Sequence, residues 1–214
     1  YAGVDPANGD ALYYMFEEND NGDMVAVLDA NGNHATTNEW DEAEKAYTGD
    51  TAIPDLIGSI SNSFSYNGFS LDFLITFGVG GSILDYGYAN MMSSRSFGRS
   101  QHPDILNSWR APGDTTNVPR LETGNADLIQ TMSDRFLTDA SFWSLKNVNI
   151  GYTFDKQITD ALGVDNLRLS LYGENLFMKS KRKGLDPQYN LAGTQSGIDF
   201  NPARTVSLGL NVSF

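Results

Sequence analysis

The sequence predicts an all-β chain whose long antiparallel strands belong to a transmembrane β-barrel with long outer loops. Three observations point there. Several segments alternate apolar and polar residues over many positions, the links between them are by turns long and short, and residues 204–214 form a closing strand that ends on Phe214. Side chains on a strand alternate faces, so this period places apolar groups on one side only. A soluble β-sandwich also alternates, with its apolar face turned into a core. Periodicity leaves both open; the link lengths and the apolar-faced closing strand favour the barrel.

The strands follow from that period. In the closing segment Val206, Leu208, Leu210, Val212 and Phe214 share one face, and Ser207, Gly209, Asn211 and Ser213 the other. In residues 69–79, Phe69, Leu71, Phe73, Ile75, Phe77 and Val79 lie together, with Ser70, Asp72, Thr76 and Gly78 mostly opposite. Leu167, Leu169 and Leu171 alternate with Arg168, Ser170 and Tyr172. Val148, Ile150, Tyr152 and Phe154 alternate with Asn147, Asn149, Gly151 and Thr153. Ahead of Lys146 the apolar positions change parity to Trp143 and Leu145, which predicts a bulge. Residues 53–66 are a weaker case, with Ile60, Phe64 and Tyr66 facing away from Ser59, Ser61, Ser63 and Ser65. That makes about five strands. A tilted membrane-spanning strand takes about 9–11 residues.

The links are as informative. Asn67-Gly68 is a tight hairpin turn, because that pair readily takes positive φ. The link 154–166 is moderate, whereas 88–136 and 178–203 are long, irregular and rich in Gly, Ser, Pro and Asn. Residues 1–52 read as an outer loop region in which 37–47 forms a short helix closed by Gly49, and 53–214 as the C-terminal part of the barrel. Short turns are periplasmic and long loops extracellular in such barrels. Counted back from the end, 178–203, 88–136 and 1–52 then lie outside.

Composition bounds the function. The 214 residues are 40% hydrophobic and 19% charged, too apolar for disorder. No window reaches the roughly 18 apolar residues of a transmembrane helix, and the mean hydropathy of -0.34 is blind to alternating strands. Asp and Glu number 27 against 14 Lys and Arg; the formal charge of -13 argues against nucleic acid as a partner. Without cysteine there is no disulfide or thiolate metal site. The chain opens on Tyr1 with no signal peptide, so an earlier part of the protein is expected to be missing.

The chemistry-bearing residues are few. His34 and His102, the only histidines, have no metal-ligand partner at useful spacing. A calcium loop opened at Glu17 would place Gly22 sixth but Leu28 twelfth, where a carboxylate is needed. There is no G-x-S-x-G, and Gly78-Val79-Gly80-Gly81 lacks the Lys-Ser/Thr of a phosphate loop. No enzyme activity and no cofactor are expected. Lys179, Lys181, Arg182 and Lys183 form one basic cluster, suited to lipopolysaccharide phosphates if that end is extracellular; a solvated loop is the plainer alternative. Tyr66, Phe69, Trp143, Tyr152, Phe154 and Phe214 suit the aromatic girdles of a barrel. Trp109 and Arg110 are the candidate substrate contacts, an indole face beside a guanidinium fork; packing within the loop is the competing role.

The order of motifs from Gly49 onward resembles the SusC/RagA family of TonB-dependent transporters of Gram-negative Bacteroidota. It runs through Trp109, Pro112-Gly113 and Pro119-Arg120, then Ser133-Asp134-Arg135-Phe136-Leu137 and Asp139-Ala140-Ser141-Phe142. Leu145-Lys146-Asn147-Val148 with Gly151-Tyr152, Asn175-Leu176-Phe177, Gly184-Leu185-Asp186-Pro187 and Arg204-Thr205 to Phe214 complete it. Each fragment is weak alone; their order and spacing are specific. The resemblance implies the last strands of a plugged barrel of about 22 strands in the outer membrane. It also implies a SusD-like surface lipoprotein as lid, and TonB pulling on a plug that this chain lacks. The function implied is TonB-dependent import of an oligomeric nutrient, a glycan foremost or a peptide. The chain's partners would then be the remainder of the barrel with its plug, the lipoprotein, TonB and outer-membrane lipids. A passive porin or adhesin-anchoring barrel, and a soluble sugar-binding β-domain, are the rival functions. Five strands alone would leave two open edges, and an unpaired backbone group in hydrocarbon costs several kcal/mol.

Overall fold

The computed structural model describes residues 1–93, 98–122, 133–189, 194–195 and 201–214. Parts of the two long links, 88–136 and 178–203, therefore lie outside the described residues. The chain forms two compact units. One comprises residues 51–83, 139–193 and 199–214, and the other 1–50, 84–138 and 194–198.

The first unit is a five-stranded antiparallel sheet of β1 (Leu56–Tyr66), β2 (Phe69–Val79), β3 (Phe142–Thr153), β4 (Asn166–Ser180) and β5 (Thr205–Ser213). Neighbours run β5-β4-β3-β2-β1, so β1 and β5 are open edges and the sheet does not close on itself. All five alternating segments are strands. β4 extends well past Tyr172, because its hydrogen-bonded partner β3 continues to Phe142.

Asn67 (φ 46°) and Gly68 (φ 78°) make the β1–β2 turn. Position 68 accepts only glycine: a β-carbon there would stand 2.4 Å from the Thr153 carbonyl oxygen. The Thr153 N–H donates to the Gly68 oxygen at 2.8 Å, which fastens the turn to β3. The parity change ahead of Lys146 is a running bulge. Leu145 faces Ile75 while Asn147 faces Leu74, so β3 carries one extra residue against β2. Across the other edge Leu145 faces Phe177 and Asn147 faces Glu174, so β4 carries one more again. Asn175 absorbs it with φ 50°.

Register assembles the alternating segments into one surface. Phe64, Leu71, Ile150, Leu171 and Leu208 form one cross-strand row, and Tyr66, Phe69, Tyr152, Leu169 and Leu210 the next. Among the described residues of this unit no second layer covers this face. Leu208 is 74% exposed, Leu210 67% and Phe64 56%, values foreign to the core of a sandwich. The opposite rows are small or polar, such as Ser63, Asp72, Asn149, Tyr172 and Ser207. The unit's buried cluster, Ile83, Ala140 and Leu185, is small and lies off the sheet's apolar rows.

The Asn67-Gly68 turn and the β3–β4 link share one end of the sheet; the longer links leave from the other. The β3–β4 link holds a helix that the apolar period does not reveal, α2 (Lys156–Leu162). Asp155 caps it by accepting from the Ile158 N–H at 3.2 Å, and Gly163 ends it at φ 70°.

In the other unit, the long link 88–136 contributes a core of its own rather than an irregular strand of chain. Met92, Ile105, Val118 and Phe136 are buried together, with Leu84, Tyr88 and Ala89 against them. Helix α1 (Tyr86–Met91) enters this core, capped by the Asp85 carboxylate accepting from the Tyr88 N–H at 2.7 Å. Residues 1–37 add short β-pairs, including Phe16–Glu18 against Met24–Ala26. Within 37–47 the helical structure is one 3-10 turn, Trp40–Glu42. Among the described residues no helix is long and apolar enough to cross a membrane, which says nothing of strands.

Candidate functional site

The unit built on residues 1–50 and 84–138 holds a cavity of about 550 Å³, within the range of ligand sites. Tyr13, Tyr14, Phe16, Trp40, Glu44 and Asp134 are among the residues that line it. Alternation within the short strands sets the aromatics: Tyr13 is buried and Tyr14 exposed. His34 holds two of them. Its ring stacks on Tyr14 at 4.5 Å between centroids and meets the Phe16 ring edge-on at 4.8 Å. His34 Nε2 lies 2.8 Å from the Met15 carbonyl oxygen, which fixes the ring.

Tyr1 also lines the cavity, and its phenol donates to the Asn117 carbonyl oxygen at 3.2 Å. Burial pushes its pKa up to about 12; the Arg135 charge opposes the shift and Tyr13 adds to it. Arg135 stands 5.1 Å above the Tyr1 ring and 5.2 Å from the Phe136 ring. Burial draws that guanidinium below its ordinary value. Such a surface offers ring faces for stacking and carboxylates for hydroxyl or amide donors. Neither His34 nor these aromatics stand out in the sequence as a group, because turns between short strands, and no regular spacing, bring them together. Among the described residues no group of three or more His, Asp or Glu side chains is placed to hold a metal ion.

Trp109 and Arg110 lie in the same unit. The Trp109 indole N–H donates to the Pro6 carbonyl oxygen at 3.2 Å, and its backbone N–H donates to the Val118 oxygen at 2.9 Å. Its ring lies on Gly9, where a β-carbon would come within 2.5 Å. Arg120 completes the junction. Its N–H donates to the Gly9 oxygen at 2.9 Å, and its guanidinium reaches the Asn8 oxygen and the Asp10 carboxylate, each at 3.1 Å. The turn-rich run 5–10 and the Trp109 to Arg120 motifs thus fold against each other. Arg110 is exposed, and its guanidinium donates to the Leu106 oxygen at 2.9 Å.

The basic cluster lies in the sheet unit. Register puts Lys179 in the apolar face's row with Trp143 and Phe77, one step beyond Phe177. The Trp143 and Phe177 rings stand 4.8 Å apart. Lys181 and Lys183 are exposed and Arg182 half-buried. The Asp139 carboxyl sits below its ordinary range, chiefly because the Ser141 hydroxyl and N–H donate to it, with Lys181 adding a smaller pull.

Sequence reasoning did not single out two charged residues on the polar face, Asp72 and Arg168, each held by neutral partners. Asp72 accepts from the Ser63 hydroxyl and, at 3.2 Å, from the Asn149 amide. Arg168 donates to the Ser70 hydroxyl at 2.6 Å and the Thr153 hydroxyl at 3.0 Å. An ionic residue in mid-strand is the signal that finds them.

A long-stranded sheet with one bare apolar face and one hydrogen-bonded polar face is the arrangement expected of a β-barrel wall, and comparison with known proteins finds receptors of the TonB-dependent class. No family model matches the chain. The TonB-dependent receptors P3 and P39 of Formosa agariphila are 28% and 31% identical to it over 203 and 169 residues, covering 90% and 76% of the chain. The TonB-dependent receptor SusC of Bacteroides thetaiotaomicron is 28% identical over 211 residues, or 94% of the chain. A solved structure of the RagAB peptide transporter matches all of the chain with a TM-score of 0.78 and 25% identity. The chain spans only 16% to 19% of those curated relatives and 22% of that solved chain. It is a segment of a SusC-like TonB-dependent receptor.

Proposed function

We propose that the chain forms part of the wall and outer loops of a plugged outer-membrane barrel of about 22 strands, which imports an oligomeric nutrient by TonB coupling. The observation that carries this reading is the bare apolar face across all five strands, backed by a polar face on which Asp72 and Arg168 are satisfied by hydrogen bonds. Lipid suits the first, a hydrated lumen the second. The edges β1 and β5 then pair with other strands of the same barrel. Residues 1–52 lie outside the membrane with the long links, and 53–214 supply the barrel portion.

The aromatic cavity suits a glycan or a peptide, and one similar solved structure is that of a peptide transporter. A SusD-like lipoprotein closes over the mouth. Trp109 and Arg110 would contact substrate through the parts left open by their bonds to Pro6 and Leu106. Lys179, with Lys181, Arg182 and Lys183, would meet lipopolysaccharide phosphates. The position of Lys179 just above the Trp143–Phe177 aromatic pair supports that contact.

The test is oligomer uptake by cells whose only receptor for it is the full-length protein containing this segment. Uptake is expected to stop when the TonB motor is inactivated. Uptake that persists at the same rate without TonB would overturn the coupling.

A further inference from the structure

A separate cavity of about 310 Å³ lies entirely within the sheet unit. Ser144 and Met178, which line it, face each other across β3 and β4 in the polar rows, so it opens on the polar side. The running bulge creates it. Strand β5 pairs with β4 only as far as Glu174 opposite Thr205, and beyond that point no described strand lies beside the β4 edge. The chain ahead of β5 fills the gap loosely, with the Asn175 amide donating to the Ala203 oxygen at 3.4 Å. Lys146, the extra residue of β3, and Arg204, just ahead of β5, both line the space left.

Its charge is unusual for this protein. The sequence has 27 acids against 14 Lys and Arg, yet two cations share this cavity. Among the described residues neither makes an ion pair. The one acid in the lining, the buried Asp186, is turned to its own loop: its Oδ1 accepts from the Gln188 N–H at 3.0 Å and the Gln188 amide at 2.9 Å. The two cations, Lys146 half-buried and Arg204 exposed, outnumber the one acid of the lining and pair with no carboxylate among the described residues, so the concave place attracts an anion from outside.

The geometry points to a binding subsite for the carboxylate of an acidic sugar, held between Lys146 and Arg204. The Arg204 fork takes the carboxylate in a planar pair, and Lys146 adds a point charge. The subsite goes beyond the import reading, and its test reads binding rather than uptake, so either can fail alone.

The experiment titrates the full-length receptor, purified in detergent, with trigalacturonate and with neutral maltotriose, at low and at high salt. Trigalacturonate is expected to bind more tightly than maltotriose, and high salt to weaken it. Lys146→Gln with Arg204→Gln should lower its affinity about tenfold or more, while Lys146→Arg stays within a few-fold of wild type. Heat-modifiable migration checks that each variant assembles. Unchanged affinity in the assembled double variant overturns the subsite. If that variant fails to assemble, the wild type decides: salt-insensitive binding, no binding, or equal binding of maltotriose overturns it. Displacement of trigalacturonate by an equal concentration of inorganic phosphate overturns the carboxylate assignment.

Discussion

The Trp109 indole lies flat where a β-carbon on Gly9 would stand, 2.5 Å from the ring. Two segments a hundred residues apart in the chain are therefore in van der Waals contact without a side chain between them. Gly9 is also at φ 81°, a conformation costly to other residues. Gly9→Ala is expected to lift the indole, break its 3.2 Å bond to Pro6 and open the 5–10 turn to protease. Limited proteolysis of the full-length receptor checks this. Trp109→Ala should give the same cleavage pattern if packing is the residue's main role, and reduced substrate affinity without new cleavage if it meets ligand.

The register assigns Leu210 to the bare apolar face and Gly209 to the polar one. Leu210→Arg is expected to cost about 2–4 kcal/mol near the bilayer midplane and less near an interface. Gly209→Arg should cost less, since the nearest obstacle is the mobile Ser170 hydroxyl. Reversible unfolding of the refolded receptor in lipid measures both; equal costs would contradict the facing.

Arg168 ties β4 to Ser70 and Thr153. Arg168→Met removes both charge-assisted bonds and is expected to lower stability by about 1.5–3 kcal/mol, with uptake otherwise intact. Arg168→Lys should recover only part of this, because an ammonium lacks the fork that reaches two hydroxyls. Thermal shifts of the heat-modifiable band report the difference.

The Tyr1 phenol has a folded pKa of about 12 against an ordinary 10.0. The neutral form is thus favoured by the fold. Its contribution to stability is complete below pH 10 and is lost as pH rises toward 12. An alkaline titration followed by phenolate absorbance should include a component ionising about two units late that Tyr1→Phe removes.

Much of the sheet was legible because its information is local. Phe69 to Val79 state their own faces, and the step from Leu145 to Val148 states its own bulge. Helix α2 was not legible, since seven residues with Ile158 and Leu162 as the apolar pair barely establish a period. Nor was the pairing of Asp72 with Asn149, which lie 77 residues apart and meet only once β2 and β3 align. The motif Trp109 to Arg120 could be read as family likeness, but its companion, the run from Asp5 to Asp10, looked like turn residues alone. What joins them is the absence of a side chain at position 9, and an absent atom leaves no periodic trace.

The small core around Phe136 also bears on how the sheet assembles. Strands β2 and β3 are neighbours, yet the chain between them runs from Gly80 to Ser141. Closing so long a link from an open coil is slow, because its entropy is lost before the pairing repays it. Leu84, near one end of that link, packs against the same cluster as Phe136, near the other end. Once that cluster has condensed, the search that β2 and β3 must make is no longer that of a sixty-residue coil but of two short tethers leaving a folded knot. That cluster would then act as an internal chaperone for the sheet: Phe136→Ala should slow the alignment of β3 on β2 more than it weakens the finished sheet.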